Sequence, residues 1–235
     1  MRMTFNCQKK GCIELLVATN RAARLSKTLR KAGRTREAIA VLIEARKKQP
    51  GNIKVLTELG ICHLRLKRFT NAKEWFRKSL EIDPNDQIAH NSIGQTYLAE
   101  NNLAAAREWF LTTLEINPKN TVAYNSIGQT FLVEGNPAAA RKWFHKTLKI
   151  HPRNLVAHNA IGHSYLAEGN ISSARKWFYK TLKINPKDLF AHNSIGQTYL
   201  VESNFPAARR WFLETLRIDH KDRVAKILLA KIQDS

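Results

Sequence analysis

The phrase His90-Asn91-Ser92-Ile93-Gly94-Gln95-Thr96-Tyr97-Leu98 returns three times, over residues 124–132, 158–166 and 192–200, at a spacing of 34 each time. A second phrase, Ala-Arg-x-Trp-Phe, moves with it at 106–110, 140–144, 174–178 and 208–212, and a weaker copy, Ala-Lys-Glu-Trp-Phe, stands at 72–76. A period of this length marks one supersecondary unit that cannot bury its apolar side alone, so stability has to come from stacking on neighbouring units. An array with short-range contacts is therefore expected.

Each unit resolves into two helices by apolar spacing. With Gln87 as position 1, Ile93, Tyr97 and Leu98 mark the first helix and Leu103, Ala106, Phe110 and Leu114 the second, the i, i+3, i+4, i+7 pattern of a buried stripe. Between the two lie Asn101-Asn102, Gly135-Asn136, Gly169-Asn170 and Ser203-Asn204, residue types that accept the left-handed conformation ending a helix. Asp83-Pro84, Asn117-Pro118 and Asn185-Pro186 then stop the second helix, because proline cannot continue it.

These positions resemble the tetratricopeptide repeat. Small residues stand at position 8 (Gly94, Gly128, Gly162, Gly196) and position 20 (Ala106, Ala140, Ala174, Ala208), aromatics at 11 and 24, and proline at 32. The resemblance covers 19–222 as six units, 19–52, 53–86, 87–120, 121–154, 155–188 and 189–222, the first of them degenerate and the last with His220 at the proline position. It implies an all-α, right-handed superhelical solenoid of tandem helix-turn-helix units. Residues 1–18 are expected to be partly disordered or to lengthen the first helix. The tail, 223–235, is expected to be a capping helix with Val224, Ile227, Leu228 and Ile232 on its apolar face.

The longest apolar stretch near the start is four residues, 15–18, which predicts neither a secretory leader nor a membrane span, and a cytoplasmic location. Mean hydropathy of −0.39 agrees. Three cysteines, Cys7, Cys12 and Cys62, have no metal-ligand spacing and no even count for a disulfide framework. No nucleophile, base and orienting acid recur together and no phosphate-cradling glycine loop is present, so a non-enzymatic protein without a cofactor is expected.

The family resemblance places positions 2, 5, 6, 9, 12 and 13 on a concave groove. There the chain has Asn91, Asn125, Asn159 and Asn193 at position 5, Gln95, Gln129, His163 and Gln197 at position 9, and Leu98, Leu132, Leu166 and Leu200 at position 12. A primary amide offers both donors and acceptors, so such a ladder can meet the backbone of an extended peptide or protein segment. The amides are not expected to be needed for helix packing, since Asn is a mediocre helix former. The tryptophans at position 23 are read as packing residues, and His90, His158 and His192 at position 4 as packing residues and not metal ligands.

The formal charge of +20 raises a rival, an RNA or anionic-surface binder. Asn or Asp at the end of each unit is also reminiscent of pentatricopeptide RNA readers. From the third unit onward, however, the first helices carry no Lys or Arg, which disfavours phosphate binding, or a clamp for acidic tails, in that part of the groove. The candidate anion-binding cations are Arg24, Lys27, Arg30 and Lys31 in the first unit, and Arg141, Lys142, Lys146, Arg175, Lys176 and Lys180 on second helices. Oligomeric state is not legible.

Overall fold

The computed structural model describes residues 9–233, and side chains from Asn20 to Ile232. Among the described residues there are thirteen α-helices and no strand. Six consecutive pairs are α1 (Lys9–Lys31) with α2 (Thr35–Lys48), α3 (Ile53–Arg65) with α4 (Phe69–Ile82), α5 (Gln87–Ala99) with α6 (Leu103–Ile116), α7 (Thr121–Val133) with α8 (Pro137–Ile150), α9 (Leu155–Ala167) with α10 (Ile171–Ile184), and α11 (Leu189–Val201) with α12 (Phe205–Ile218). A single helix follows, α13 (Arg223–Gln233). Residues 9–18 lie in α1, and 1–8 fall outside the described residues. The chain divides between Pro118 and Lys119 into two compact units, one holding α1 to α6 and the other α7 to α13.

Local chemistry sets the helix ends. Before each first helix from α3 to α11 an Asn or Asp side chain accepts from a first-turn N–H, as Asn154 does from Ala157 and Asp188 from Ala191. Asn102, Asn136, Asn170 and Asn204 start second helices in the same way. The residue ahead of those caps is left-handed: Gly135 (φ +81°), Gly169 (+74°), Asn101 (+60°) and Ser203 (+57°). Serine adopts that conformation at a steric cost of about 1 kcal/mol.

The core joins one pair to the next. Ala140 and Phe144 of α8 pack with Ala157 and Ile161 of α9, and Ala174 and Phe178 of α10 with Ala191 and Ile195 of α11. In the first unit Ala72 and Phe76 meet Ala89 and Ile93 in the same way. Helix α13 takes the place of a further first helix: Ala225 completes the cluster of Ala208 and Phe212, and Leu228, Leu229 and Ile232 pack against it. This corrects the apolar face expected for the tail. Val224 and Ile227 are exposed, because the close approach of α12 demands the small side chain of Ala225, the counterpart of Ala157 and Ala191.

Each Phe ring fills the gap opposite the glycine at position 8 of its own pair. A Cβ added at Gly162 would stand 2.8 Å from Cζ of Phe178 and nearer still to Cε1, and Gly60, Gly128 and Gly196 repeat the arrangement with Phe76, Phe144 and Phe212. The rings are fully buried and have no room to withdraw. Replacing a helical glycine by alanine normally stabilises by about 1 kcal/mol, whereas overpacking a tight core costs about 1–3 kcal/mol. We therefore expect Gly162→Ala to lower stability in denaturant unfolding, against helix propensity.

Candidate functional site

Three first helices, α7, α9 and α11, bound a groove of about 780 Å³ in the second unit. Its apolar lining comes from Leu132, Leu155, Val156, Ala160 and Phe190, and its polar atoms from Gln129, Asn159, His163 and Asp188. Val122, Val156 and Phe190, all at position 2, are 57%, 63% and 52% exposed. These helices thus carry apolar residues on two faces: Ile127, Ile161 and Ile195 in the core, and the position-2 column facing out. The family resemblance places position 2 on the groove without naming its residues, whose signal in the sequence is a first helix with apolar residues outside the buried stripe.

His163 stands between two rings, 4.9 Å from the ring centre of Phe190 and 5.2 Å from that of Phe178, with Nε2 3.1 Å from the Ser194 hydroxyl. Burial holds its pKa below the usual imidazole value, so it is neutral at neutral pH. No Lys or Arg lines the groove.

The position-5 asparagines are placed differently from the expectation that packing does not need them. Asn125 Oδ1 accepts from the Thr147 hydroxyl (2.8 Å). Asn159 Oδ1 accepts from Thr181 (2.8 Å), while its Nδ2 donates to Asp188 (3.3 Å), the cap of α11. Asn193 donates to Asp222 (3.1 Å), and the Oδ1 atoms of Asn91 and Asn193 are buried without a hydrogen-bond partner. Asn159 and Asn193 are 7% and 6% exposed. Asn125 and Asn159 thus tie their first helix to its second helix, and Asn159 and Asn193 reach the next cap, which leaves Asn159 only part of its amide for a ligand. At position 9, Gln129 is exposed, and Gln95 and Gln197 are half-buried. Leu132, Leu166 and Leu200 lean on the following Phe clusters, and Leu98 is half-buried.

Several of the candidate cations are committed inside the fold. Arg141 pairs with Glu168 (2.8 Å) over the Tyr165 ring, and Arg175 with Glu202 (2.5 Å) over Tyr199. Lys73 repeats this with Glu100 and Tyr97. These are links from position 21 to position 14 of the next pair. Arg30, 13% exposed at its side chain, pairs with Glu58 (2.7 Å), which also accepts from Ser26. Arg24 and Lys27 instead line a groove of about 370 Å³ in the first unit, with Lys54 across from them on α3, and Lys31 is exposed. Lys142, Lys146, Lys176 and Lys180 are exposed on α8 and α10.

The position-4 histidines are structural. Nε2 of His90, His158 and His192 lies 2.8–2.9 Å from the carbonyl of Pro84, Pro152 and Pro186, and each ring sits 5.3 Å from a tryptophan ring. Among the described residues no group of three His, Cys, Asp or Glu could hold a metal, and no helix is long and apolar enough to cross a membrane. Cys62 is buried, which pushes its thiol up to about 11 and keeps it neutral.

The tetratricopeptide repeat family model matches residues 24–87, 83–121 and 125–189. Tetratricopeptide repeat protein 4 of Mus musculus is 31% identical over 83 residues, 34% of this chain and 20% of that protein, so the chain spans about a fifth of that relative's length. Among solved structures, a tetratricopeptide repeat protein of Parabacteroides merdae aligns with a TM-score of 0.76 at 20% identity, covering 91% of this chain and 83% of that one. PilF of Pseudomonas aeruginosa aligns with 0.65 at 16%, covering 93% and 99%. At these identities the structures report the fold alone.

Replacing Asn159 by alanine leaves the Thr181 hydroxyl only the longer bond to the Trp177 carbonyl (3.4 Å) and takes a donor from the Asp188 carboxylate, in a buried setting. The variant is expected to lose about 1–3 kcal/mol in denaturant unfolding, whereas Gln129→Ala, at an exposed amide, should unfold as wild type does.

Proposed function

The chain belongs to the tetratricopeptide repeat family, and on that premise we propose that it is a non-enzymatic docking protein whose first-helix groove receives an extended peptide or protein segment. Its repeats make a protein-interaction scaffold. The observation that carries the finer reading is the position-2 column. Val156 and Phe190 face water inside the groove, on helices whose opposite faces are already buried, and Val122 is exposed at the same position of α7; an exposed apolar patch inside a groove marks a site that another molecule covers.

The lining suggests the chemistry of the segment. Val156 and Phe190 leave an apolar slot for a hydrophobic side chain. Gln129 and the neutral His163 offer hydrogen bonds to its backbone or polar groups, while Asn159, engaged elsewhere, serves mainly to hold α9 and α10 together. With no cation in the lining, a segment with apolar anchors is preferred to an acidic tail, and affinity should change little with salt.

The test uses peptides selected from a random display library against the full chain. Val156→Asp and Phe190→Asp alter exposed side chains, so melting should hardly change, while affinity is expected to fall at least about tenfold, about 1.4 kcal/mol. Equal binding by both variants would place the docking site elsewhere.

A further inference from the structure

A second surface, independent of the groove, is set apart by charge. Within the second unit, α7, α9 and α11 contain no Lys or Arg, whereas α8 and α10 contain no Asp or Glu and α12 has only Glu214. With Arg141 and Arg175 committed to their glutamates, two parallel rows of exposed lysines are left, Lys142, Lys146 and Lys149 on α8 and Lys176, Lys180 and Lys183 on α10. Like charges three and four residues apart destabilise a helix. A face kept only for solubility would mix both signs; α8 and α10 hold a single sign.

Helix α12 continues the basic face with Arg209 and Arg210, and here apolar side chains are interleaved. Phe205 and Leu213, 40% and 39% exposed, line one cleft of about 530 Å³ together with Arg209 and Arg210, while Arg217 in the same cleft pairs with Glu214 (3.0 Å). Tyr179, at the same position on α10 as Leu213 on α12, is also exposed.

Two kinds of polyanion present phosphates at this density, and the aromatic side chains distinguish them. A single-stranded nucleic acid stacks its bases on open ring faces. Here the indole faces are taken: Lys146 Nζ sits 3.8 Å over the Trp143 ring and Lys180 Nζ 3.7 Å over Trp177. Leu213, exposed beside Phe205, has no ring face on which a base could stack. A bilayer supplies both needs, with anionic headgroups for the lysines and arginines and an acyl boundary for exposed apolar side chains. We propose that the second-helix face of residues 119–235 docks on a membrane surface rich in anionic phospholipid, with Lys142, Lys146, Lys176 and Lys180 at the headgroups and Phe205 and Leu213 inserted below them.

Co-sedimentation of the full chain with vesicles tests this. The chain should pellet with phosphatidylcholine–phosphatidylserine vesicles, stay in solution with phosphatidylcholine alone, and be released by rising salt. Joint replacement Lys142→Glu, Lys146→Glu, Lys176→Glu and Lys180→Glu should abolish pelleting, with circular dichroism confirming that helices persist; the corresponding glutamine set serves if reversal impairs folding. Phe205→Ser with Leu213→Ser should weaken binding at least tenfold at unchanged charge. The proposal fails if wild type does not pellet with the anionic vesicles, or if the lysine variant pellets as wild type does. It also fails if the serine pair binds unchanged, and release of the chain from vesicles by single-stranded RNA would then identify a phosphate-backbone surface instead.

Discussion

The contact on which the rest of the structure depends is a buried phenylalanine ring set against a bare helical backbone. Phe144 lies on Gly128, Phe178 on Gly162 and Phe212 on Gly196, at separations that a methyl group would violate. This fixes how near the two helices of a pair come; Phe144 and Phe178 also join the alanine and isoleucine of the next first helix, and Phe212 joins Ala225 of α13. Pair spacing and pair stacking thus share one side chain. Once position 7 is turned into that core, position 2 is left facing out, which is how Val156 and Phe190 come to line a groove.

The period, the glycine, alanine and phenylalanine positions, the proline stops and the left-handed turns were legible because each is a local steric requirement repeated in register. The groove was legible only in part. Position 5 looked free of structural duty because a side-chain hydrogen bond to a residue 22 or 29 positions away leaves no trace in helical periodicity. Yet Thr147 and Thr181, and the caps Asp188 and Asp222, recur with the asparagines, and that three-way recurrence was an available signal. Position 2 is placed on the groove by the family resemblance, and the structure adds that its side chains there, Val156 and Phe190, are apolar and open to water. In the tail, Ala225 identified the buried face better than the larger Val224 did, for the same reason that small residues mark close helix approach elsewhere in the chain.

Charge behaves similarly. Arg141 and Arg175 are indistinguishable in sequence from their neighbours Lys142 and Lys176, but a fixed offset of 27 residues brings them to Glu168 and Glu202, and a tyrosine face shields each pair. Subtracting these links divides the second unit into a first-helix face without cations and a second-helix face of nearly one sign. The two faces call for different partners, a segment with apolar side chains on one and an anionic surface on the other.

The central claim, that ligands enter between the first helices, is tested most directly by methyl-labelled NMR of the full chain titrated with a bound peptide. The account predicts shifts concentrated on Leu132, Leu155 and Val156, with Leu148 and Leu182, which pack in the clusters between pairs, nearly unmoved. Shifts confined to Leu213 and the rest of the second-helix face, with the groove methyls silent, would contradict it.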